Sequence, residues 1–250
     1  MPDSRHHRGP HPEDVSDFAP AHLPALHLAV HDYCWLLSRE YGPASALKLV
    51  GDHHNLTARQ RLAVMRSSCS DSSRQQRCSR LTTAIRGARL LIDGYNVLTT
   101  IEAALARGVL LVGRDLCMRD LASMHGSWRK VEETATAICL IGSELESSGV
   151  SDVLWLLDSP VSNSGRLRAQ ILDAAGHHHW HWQVDLVFSP DKLLGESAEV
   201  VATADSVILD HPVRWLNLAR TIVETHIPSA WIIDLSHPPA EPMPAATGEL

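Results

Sequence analysis

Several common signatures are scarce or missing in this 250-residue sequence, and each absence excludes a class of protein. The five cysteines are odd in number and show no C-x-x-C spacing, which argues against a disulfide framework or a cysteine zinc site. No apolar run approaches the ~20 residues that cross a bilayer, so no membrane association is expected. No G-x-G-x-x-G, P-loop or Ser-His-Asp pattern occurs in a suitable context. These absences favour a cytoplasmic protein with free thiols.

The chain divides into segments of different composition. Residues 1–20 are polar and rich in proline and histidine, so a disordered leader is expected there, and residues 237–250 are expected to form a disordered tail. Residues 21–70 place apolar residues at helical spacing and predict a small helical domain, with a break at Gly51-Asp52 and a helix capped by Thr57. Residues 71–87 lack apolar periodicity and are predicted to form an Arg-rich linker or exposed arm.

Lysine is missing and acid is almost missing between Arg59 and Arg89. That segment holds eight arginines and one acid, Asp71, and so carries +7, whereas the rest of the chain carries −14. One interpretation is a solvated helix face followed by a linker. The other is a surface that binds a polyanion, because arginine suits bidentate contacts to phosphate.

From residue 88 the pattern changes to short apolar runs that alternate with helical segments. The runs are 88–93, 108–113, 152–158, 182–188 and 230–235, with a shorter piece at 199–205. The helical segments between them are 97–106, 118–147, 164–175 and 213–225. Strands that are apolar on both faces and alternate with helices are typical of a parallel sheet covered on both sides. We therefore expect an α/β three-layer sandwich over residues 88–236.

Acidic residues end several of these predicted strands. Asp93 ends the first run, Asp158 ends the third, and Asp205 and Asp210 follow the short run at 199–205. Each aspartate alone is explained by helix capping, but the carboxyl ends of parallel strands share one edge, where ligands bind. Crowded carboxylates destabilise a fold unless a cation neutralises them. An all-oxygen set suits Mg²⁺ or Mn²⁺, so we expect these four residues to be metal ligands.

The motif LLIDGYNVL (90–98) resembles the first motif of the NYN branch of PIN-like nucleases. WLLDSP (155–160) and TADSVILD (203–210) resemble the later acids of that superfamily. The resemblance covers residues 88–235 and implies a PIN-like fold that hydrolyses RNA phosphodiester bonds with a metal-activated water. It implies that Asp93, Asp158 and Asp205 bind the metal and that Asn96 supports the site. It also implies that Asp210 either binds the metal directly or contacts one of its ligands. The whole chain also resembles a prokaryotic family with an N-terminal helical domain and no assigned activity.

PIN-like enzymes usually place a further acid in a helix after the first strand. Glu102, Asp115 and Asp120 are the candidates. Glu102 lies on an amphipathic helix and is expected to face solvent. Without such an acid the site would bind metal weakly or turn over slowly.

Two polar segments are candidates for substrate contacts. In SPVSNSGR (159–166) the phosphate-binding candidates near a helix N-terminus are Ser162, Asn163, Ser164 and Arg166, although an ordinary helix cap explains them as well. In MHGSWRK (124–130), Arg129 and Lys130 are candidates for backbone contacts beside a base stacked on Trp128, and the alternative places Trp128 in the core. The tract GHHHWHW (176–182) is expected to be an exposed loop with adventitious affinity for nickel or zinc.

These patterns predict a Mg²⁺- or Mn²⁺-dependent ribonuclease that prefers single-stranded RNA. The alternative is a non-catalytic RNA- or protein-binding module on the same PIN-like fold. A phosphatase with Asp93 as nucleophile is disfavoured, because the second aspartate two residues on is missing. The sequence leaves a homo-oligomer open.

Overall fold

The computed structural model describes residues 8–121, 128 and 130–237. Its N-terminal region is helical. The helices are α1 (Asp14–Asp17), α2 (Leu23–Leu37), α3 (Pro43–His53), α4 (Ala58–Ser67) and α5 (Asp71–Arg80), with a 3₁₀ turn at Pro20–His22. No helix of the described residues is long and apolar enough to span a membrane.

Local sequence explains the ends of the N-terminal helices. Thr57 accepts a hydrogen bond from the backbone N–H of Gln60, and the Gln60 side chain accepts one from Thr57 N–H, which forms the expected cap of α4. The break expected at Gly51-Asp52 is wrong, because α3 continues to His53. A single glycine near a helix end is tolerated at a cost of about 1 kcal/mol relative to alanine, which packing against α2 and α4 offsets.

Residues 71–80 are helical, which corrects the expected linker over 71–87. Ser70 accepts a hydrogen bond from Ser73 N–H and so caps α5. Arg77, on this helix, is only 4% exposed. The segment lacks apolar periodicity because its buried face is held by ion pairs instead of apolar side chains.

Eight strands are found in the described part of the chain, and they form two sheets. The five-stranded sheet has the order β5-β4-β1-β6-β7 and is parallel throughout. Its strands are β1 (Arg89–Asp93), β4 (Asp152–Asp158), β5 (Trp182–Val187), β6 (Val200–Ala202) and β7 (Trp215–Leu216). In the other sheet, β2 (Val109–Val112) pairs with β8 (Trp231–Asp234) in parallel and with β3 (Met118–Asp120) in antiparallel orientation. The runs at 108–113 and 230–235 therefore belong to a separate sheet.

Helices follow most strands, as the alternating pattern predicts. They are α6 (Gly94–Leu105), α7 (Thr134–Ser148), α8 (Ser164–His178), α9 (Pro190–Gly195), α10 (Ser206–Leu209) and α11 (Leu218–His226). The helices expected over 118–147 and 213–225 begin later than predicted, because strands β3 and β7 occupy their first residues.

The side chains of β1 alternate between the two faces of the large sheet. Leu90 and Ile92 pack into the main core, which α6, α7, α8 and α11 complete. Leu91 points to the other face, where it belongs to a cluster with Leu194 of α9 and Ile208 of α10. The large sheet is therefore covered by helices on both faces, as expected for an α/β fold.

The N-terminal helices share a hydrophobic core with the small sheet. Leu26 and Val64 of the helices cluster with Val109, Leu111 and Ile233 of β2 and β8. Leu110 and Val112 of β2 face the main core instead. Strand β2 is apolar on both faces because it lies between two cores.

Glycine at position 94 allows α6 to pass close to the large sheet. A Cβ on Gly94 would lie 2.4 Å from the Leu157 side chain and 3.0 Å from the carbonyl oxygen of Leu156. The glycine of the Asp-Gly-Tyr-Asn turn is therefore required by packing, and it keeps the first turn of α6 against the carboxyl end of β4.

Candidate active site

The strand order of the large sheet creates a crevice between β1 and β6. From β1 the chain continues to β4 and β5 on one side, whereas β6 is followed by β7 on the other side. Ligands of parallel α/β sheets bind at such a reversal, outside the carboxyl ends of the strands. A hydrogen bond of 2.8 Å from Thr203 Oγ1 to Asp93 Oδ2 spans this crevice.

Four adjacent parallel strands each deliver an aspartate to one cleft of about 650 Å³ at this edge. Asp93 ends β1, Asp158 ends β4, Asp191 follows β5 and Asp205 follows β6. The structure thus brings together three of the four predicted acids. It adds Asp191, for which the sequence signal was the SPDK turn directly after the β5 run.

Asp93 is buried at the centre of this group, with 9% of its surface exposed. Burial raises the pKa of Asp93 to about 7. The charges of Asp205 and Asp191 act in the same direction, whereas the hydrogen bond from Thr203 acts to lower the pKa. A carboxyl group with this pKa gains from any cation that shares its site.

The loop after β6 is held by three polar contacts. Thr203 Oγ1 accepts a hydrogen bond of 3.0 Å from Asp205 N–H. The Asn96 side-chain oxygen accepts one of 2.8 Å from Ala204 N–H, and Arg119 Nε donates one of 2.8 Å to the Ala204 carbonyl. Asn96 therefore fixes the loop that presents Asp205, which is a supporting position.

Asp205 has two functions in the structure. Its Oδ1 accepts a hydrogen bond of 2.7 Å from Val207 N–H and caps the short helix α10. The same carboxylate lines the cleft beside Asp93. Helix capping and membership of the acidic group are therefore compatible at this position.

Asp158 and Tyr95 present buried polar atoms at the cleft. Asp158 is half-buried, and its Oδ1 has no hydrogen-bond partner among the described residues. Burial, together with Asp158, raises the pKa of Tyr95 to about 12. An unpartnered buried carboxylate oxygen is destabilising unless a cation or water satisfies it.

Asp191 is the second residue of helix α9 and is half-buried. Burial raises the pKa of Asp191, and the charges of Asp205 and Asp158 raise it further. The acids of the cleft thus perturb one another electrostatically as well as lining the same space.

This group fits a hard divalent cation that keeps part of its water shell. All of its charged donors are carboxylate oxygens, which Mg²⁺ and Mn²⁺ prefer. In the part of the chain that the structure describes, no three of these carboxylates bring oxygens within 4.8 Å of one another. An ion bound here would therefore have at most two of these carboxylates as direct ligands and would need water at its other positions, and Mg²⁺ usually retains several waters.

The structure does not place Asp210 in the cleft, although the sequence grouped it with the other acids. Its Oδ1 accepts hydrogen bonds of 2.6 and 2.9 Å from the Arg77 guanidinium. Arg77 also donates one of 2.7 Å to Asp115. Asp210 is thus neutralised by a buried arginine and is not available as a metal ligand.

Two of the three candidates for the additional acid are also neutralised by arginines. Arg8 pairs with Glu102, which is fully buried, so the prediction that it faces solvent is wrong. Burial alone would raise the pKa of Asp115, but Arg119 and Arg77 hold it far below its usual range.

Asp120 is the candidate that lines the cleft. It is 7% exposed, and its Oδ2 accepts a hydrogen bond of 3.0 Å from Thr100 Oγ1. The Arg66 guanidinium lies 3.7 Å from Asp120 Oδ1. Asp120 therefore adds a further carboxylate at the Arg66 side of the cleft.

The arginines of the basic segment are divided between ion pairs and the exposed surface. Arg59 pairs with Asp14, Arg61 pairs with Asp52, and Arg77 pairs with Asp115. Arg74, Arg86 and Arg89 are exposed, as both interpretations of the segment expect, whereas Arg77 is buried. Arg66 and Arg77 line the acidic cleft.

The predicted substrate residues of the loop after β4 do not line the cleft. Val161 lines it, but Ser162, Asn163, Ser164 and Arg166 do not. The Asn163 side chain donates a hydrogen bond of 3.0 Å to the Trp128 carbonyl and does not cap α8. Arg166 is exposed, and Ser164 is buried.

The second substrate segment is described only in part. Trp128 is fully buried, which contradicts its use for base stacking and supports its place in the core. Lys130 is exposed. Arg129 lies outside the described residues.

Comparisons with known proteins give two family matches. Residues 82–221, more than half of the chain, match the family described as "Domain of unknown function (DUF5616)". Residues 25–80 match the family described as "Protein of unknown function (DUF434)". The "Uncharacterized protein MJ0935" of Methanocaldococcus jannaschii is 30% identical over 187 residues, which cover 74% of this chain and 89% of that protein. No solved structure matches the chain.

Proposed function

Because this chain belongs to the family described as "Domain of unknown function (DUF5616)", a description that names no activity, we propose a function from the site itself. The protein is a divalent-metal-dependent ribonuclease that hydrolyses phosphodiester bonds of single-stranded RNA in the cleft at the carboxyl edge of the large sheet. Its fold is PIN-like, and its metal is Mg²⁺ or Mn²⁺.

One observation carries the proposal: the convergence of Asp93, Asp158, Asp191 and Asp205 from four adjacent parallel strands on one cleft. Burial raises the pKa values of Asp93 and Asp191, and the charges of neighbouring acids in the cleft raise them further. Ion pairs neutralise other acids of the chain, such as Asp115, but these four remain together. A fold that keeps such a group gains most when a cation binds there.

The four acids of the cleft would hold the metal, at most two of them directly and the others through water ligands. When bound, the metal supplies an activated water and stabilises negative charge developing on phosphate. The unpartnered Oδ1 of Asp158 supports this assignment. Thr203 orients Asp93 through its hydroxyl, and Asn96 fixes the loop that presents Asp205. These contacts hold the carboxylates in place before substrate arrives, which is the condition for electrostatic preorganisation.

The substrate is assigned by the NYN resemblance of LLIDGYNVL and by the surroundings of the cleft. Arg66, from α4, lines the rim and would meet a phosphate backbone that enters from the N-terminal side. Arg166 and Lys130 are exposed near Val161 and Trp128 and remain candidates for contacts along the strand. We propose that they bind the backbone outside the reacting centre.

A second candidate function is a non-catalytic RNA- or protein-binding module. The spacing of the acids favours it, because no three carboxylates of this cleft, among the described residues, have oxygens within 4.8 Å of one another. Direct chelation of one ion by three acids would need a rearrangement. Glu102 and Asp115 are occupied by arginines and cannot complete the site.

The test is cleavage of end-labelled single-stranded RNA by the full chain in Mn²⁺ or Mg²⁺, with a chelator blank. Asp158→Asn is expected to lower the rate at least about a hundredfold, the scale seen when one electrostatic contact of a catalytic centre is lost. Asp152→Asn is the matched control, because Asp152 is an exposed aspartate at the opposite end of the same strand.

Cleavage that Asp158→Asn leaves unchanged refutes the proposal, since the activity would then arise elsewhere. RNA binding without any cleavage in Mn²⁺ or Mg²⁺ supports the second candidate. An equal loss of cleavage rate in Asp158→Asn and Asp152→Asn would also refute this assignment, because the two carboxylates lie at opposite ends of β4.

A further inference from the structure

The N-terminal helices carry a second group of metal-ligating side chains, far in sequence from the acidic cleft. Asp32 lies on α2, His53 is the last residue of α3, and His54 directly follows it. One ligand atom from each of these three residues lies within 4.8 Å of the other two. Among the described residues, no other three side chains of histidine, cysteine, aspartate or glutamate lie close enough together to bind one ion.

We propose that Asp32, His53 and His54 form a zinc site that joins α2 to the end of α3. Imidazole nitrogens with a carboxylate suit Zn²⁺, whereas Mg²⁺ prefers an all-oxygen set. Three protein ligands leave the fourth position of a tetrahedral site open for water or another ligand.

The geometry needs little adjustment to accept the ion. His54 Nε2 lies 2.8 Å from Asp32 Oδ2. Two ligand atoms of a tetrahedral zinc site are about 3.3 Å apart, given metal–ligand bonds of ~2.0–2.1 Å. A shift of about half an ångström would admit zinc between them, and Asp32, whose side chain is 44% exposed, has room to make it.

The surroundings favour a cation that is reachable from solvent. The carbonyl end of α3 carries the negative end of the helix dipole, which stabilises positive charge at His53 and His54. A groove of about 480 Å³ beside the group is lined in part by Asp32, His53 and Trp35. His31 also lines it, and its Nδ1 lies 3.5 Å from Asp32 Oδ1, close enough to serve as a supporting partner.

The inference is independent of the proposed nuclease function, because it uses a different metal, different donors and a different part of the chain. Zinc here would tie two helices that already meet through apolar contacts, the Tyr33–Pro43 hydrogen bond and the Asp32–His54 pair. Its effect would be a more stable N-terminal region, with an open coordination position facing the groove.

The experiment is calorimetric titration of Zn²⁺ into untagged, chelator-treated full-length protein, with millimolar Mg²⁺ present. One equivalent is expected to bind to this site. His53→Ala is expected to weaken it at least about tenfold, since even the loss of an outer partner of a zinc ligand has that effect. His53 is exposed, so its replacement should leave the fold intact.

A matched control removes the other histidine cluster, with His177→Ala, His178→Ala and His179→Ala combined. This variant and Asp93→Asn should both keep the zinc site. The Co²⁺-loaded protein should show tetrahedral bands without sulfur charge transfer, because no thiol is in the proposed ligand set.

The inference fails if zinc does not bind, which would leave Asp32–His54 as an ion pair between helices. It also fails if binding survives His53→Ala but is lost in the combined control variant, which would place the zinc at residues 177–179. Retained binding in that control with loss in His53→Ala supports the site whether or not RNA is cleaved.

Discussion

Replacing Asp93 by asparagine is expected to stabilise the metal-free protein at alkaline pH. The pKa of Asp93 is raised from 3.8 to about 7, chiefly by burial. Between these pH values the folded protein holds a proton that the unfolded chain has lost. The stability that the neutral Asp93 carboxyl group contributes is therefore fully present below pH 3.8, falls as the pH rises, and is lost above pH 7.

The size of the effect follows from that shift. About three pKa units correspond to about 4 kcal/mol between the neutral and ionised forms of Asp93. Asparagine carries no charge and keeps an oxygen that can accept the Thr203 hydroxyl hydrogen bond. At pH 8 the metal-free variant should exceed the wild type by about 2–4 kcal/mol in free energy of unfolding, or roughly 10 °C in Tm.

Urea unfolding in a chelator at pH 5 and at pH 8 measures this difference. Tryptophan fluorescence is a suitable probe, because Trp155 is fully buried in the main core. The gap between the two proteins should grow from pH 5 to pH 8. Adding Mn²⁺ at pH 8 should stabilise the wild type more than the variant, because only the wild type keeps the full set of acids.

The reasoning is refuted if Asp93→Asn is less stable than the wild type at pH 8, or if both proteins show the same pH dependence. Either result would mean that Asp93 has an ordinary pKa in the folded protein. The contribution of acids outside the cleft cancels in the comparison, because both proteins contain them.

Three further predictions concern positions outside this equilibrium. Thr57→Ala removes the cap of α4 and should lower the free energy of unfolding by about 1 kcal/mol in a urea titration, whereas Thr57→Ser should restore it. Asp115→Asn leaves Arg77 and Arg119 without their shared partner and should lower the free energy of unfolding by about 3–5 kcal/mol in the same assay. Asp210→Asn, at a half-exposed site, should lower it by under about 1 kcal/mol and leave RNA cleavage intact. Gly94→Ala forces a Cβ against the Leu157 side chain and should lower Tm, with a loss of about 1–3 kcal/mol, and an unchanged Tm would contradict the close packing of α6.

Strand positions could be predicted because apolar runs on both faces leave a strong local signal. The runs ending at Asp93 and Asp158 are strands that end at those residues. The division into two sheets could not be predicted, because β2 pairs with β8, more than a hundred residues away. Pairing partners at that distance leave no trace in the periodicity of either strand.

The acids of the site illustrate the same limit. Asp205 and Asp210 look equivalent in TADSVILD, but α10 is one turn long and directs only Asp205 to the cleft. Asp210 meets Arg77, which is 133 residues earlier in the chain. The basic segment was interpreted as an arm for the same reason, since its carboxylate partners lie elsewhere in the sequence.

Asp191 was missed for a different reason. It does not end its strand but follows it after a turn, where Ser189 has a φ of +58°. A search for acids within four residues of each apolar run, and not only at its last position, would have included it. Local turn geometry thus decides which acids reach the edge of the sheet.

The proposed function requires that the strand-end acids bind a divalent cation together. The most direct measurement is the anomalous difference density of crystals of the full chain soaked in Mn²⁺. A peak bounded by Asp93, Asp158 and Asp205 is the predicted result. A map with no manganese among these carboxylates, from crystals in which the cleft is open to solvent, would contradict it.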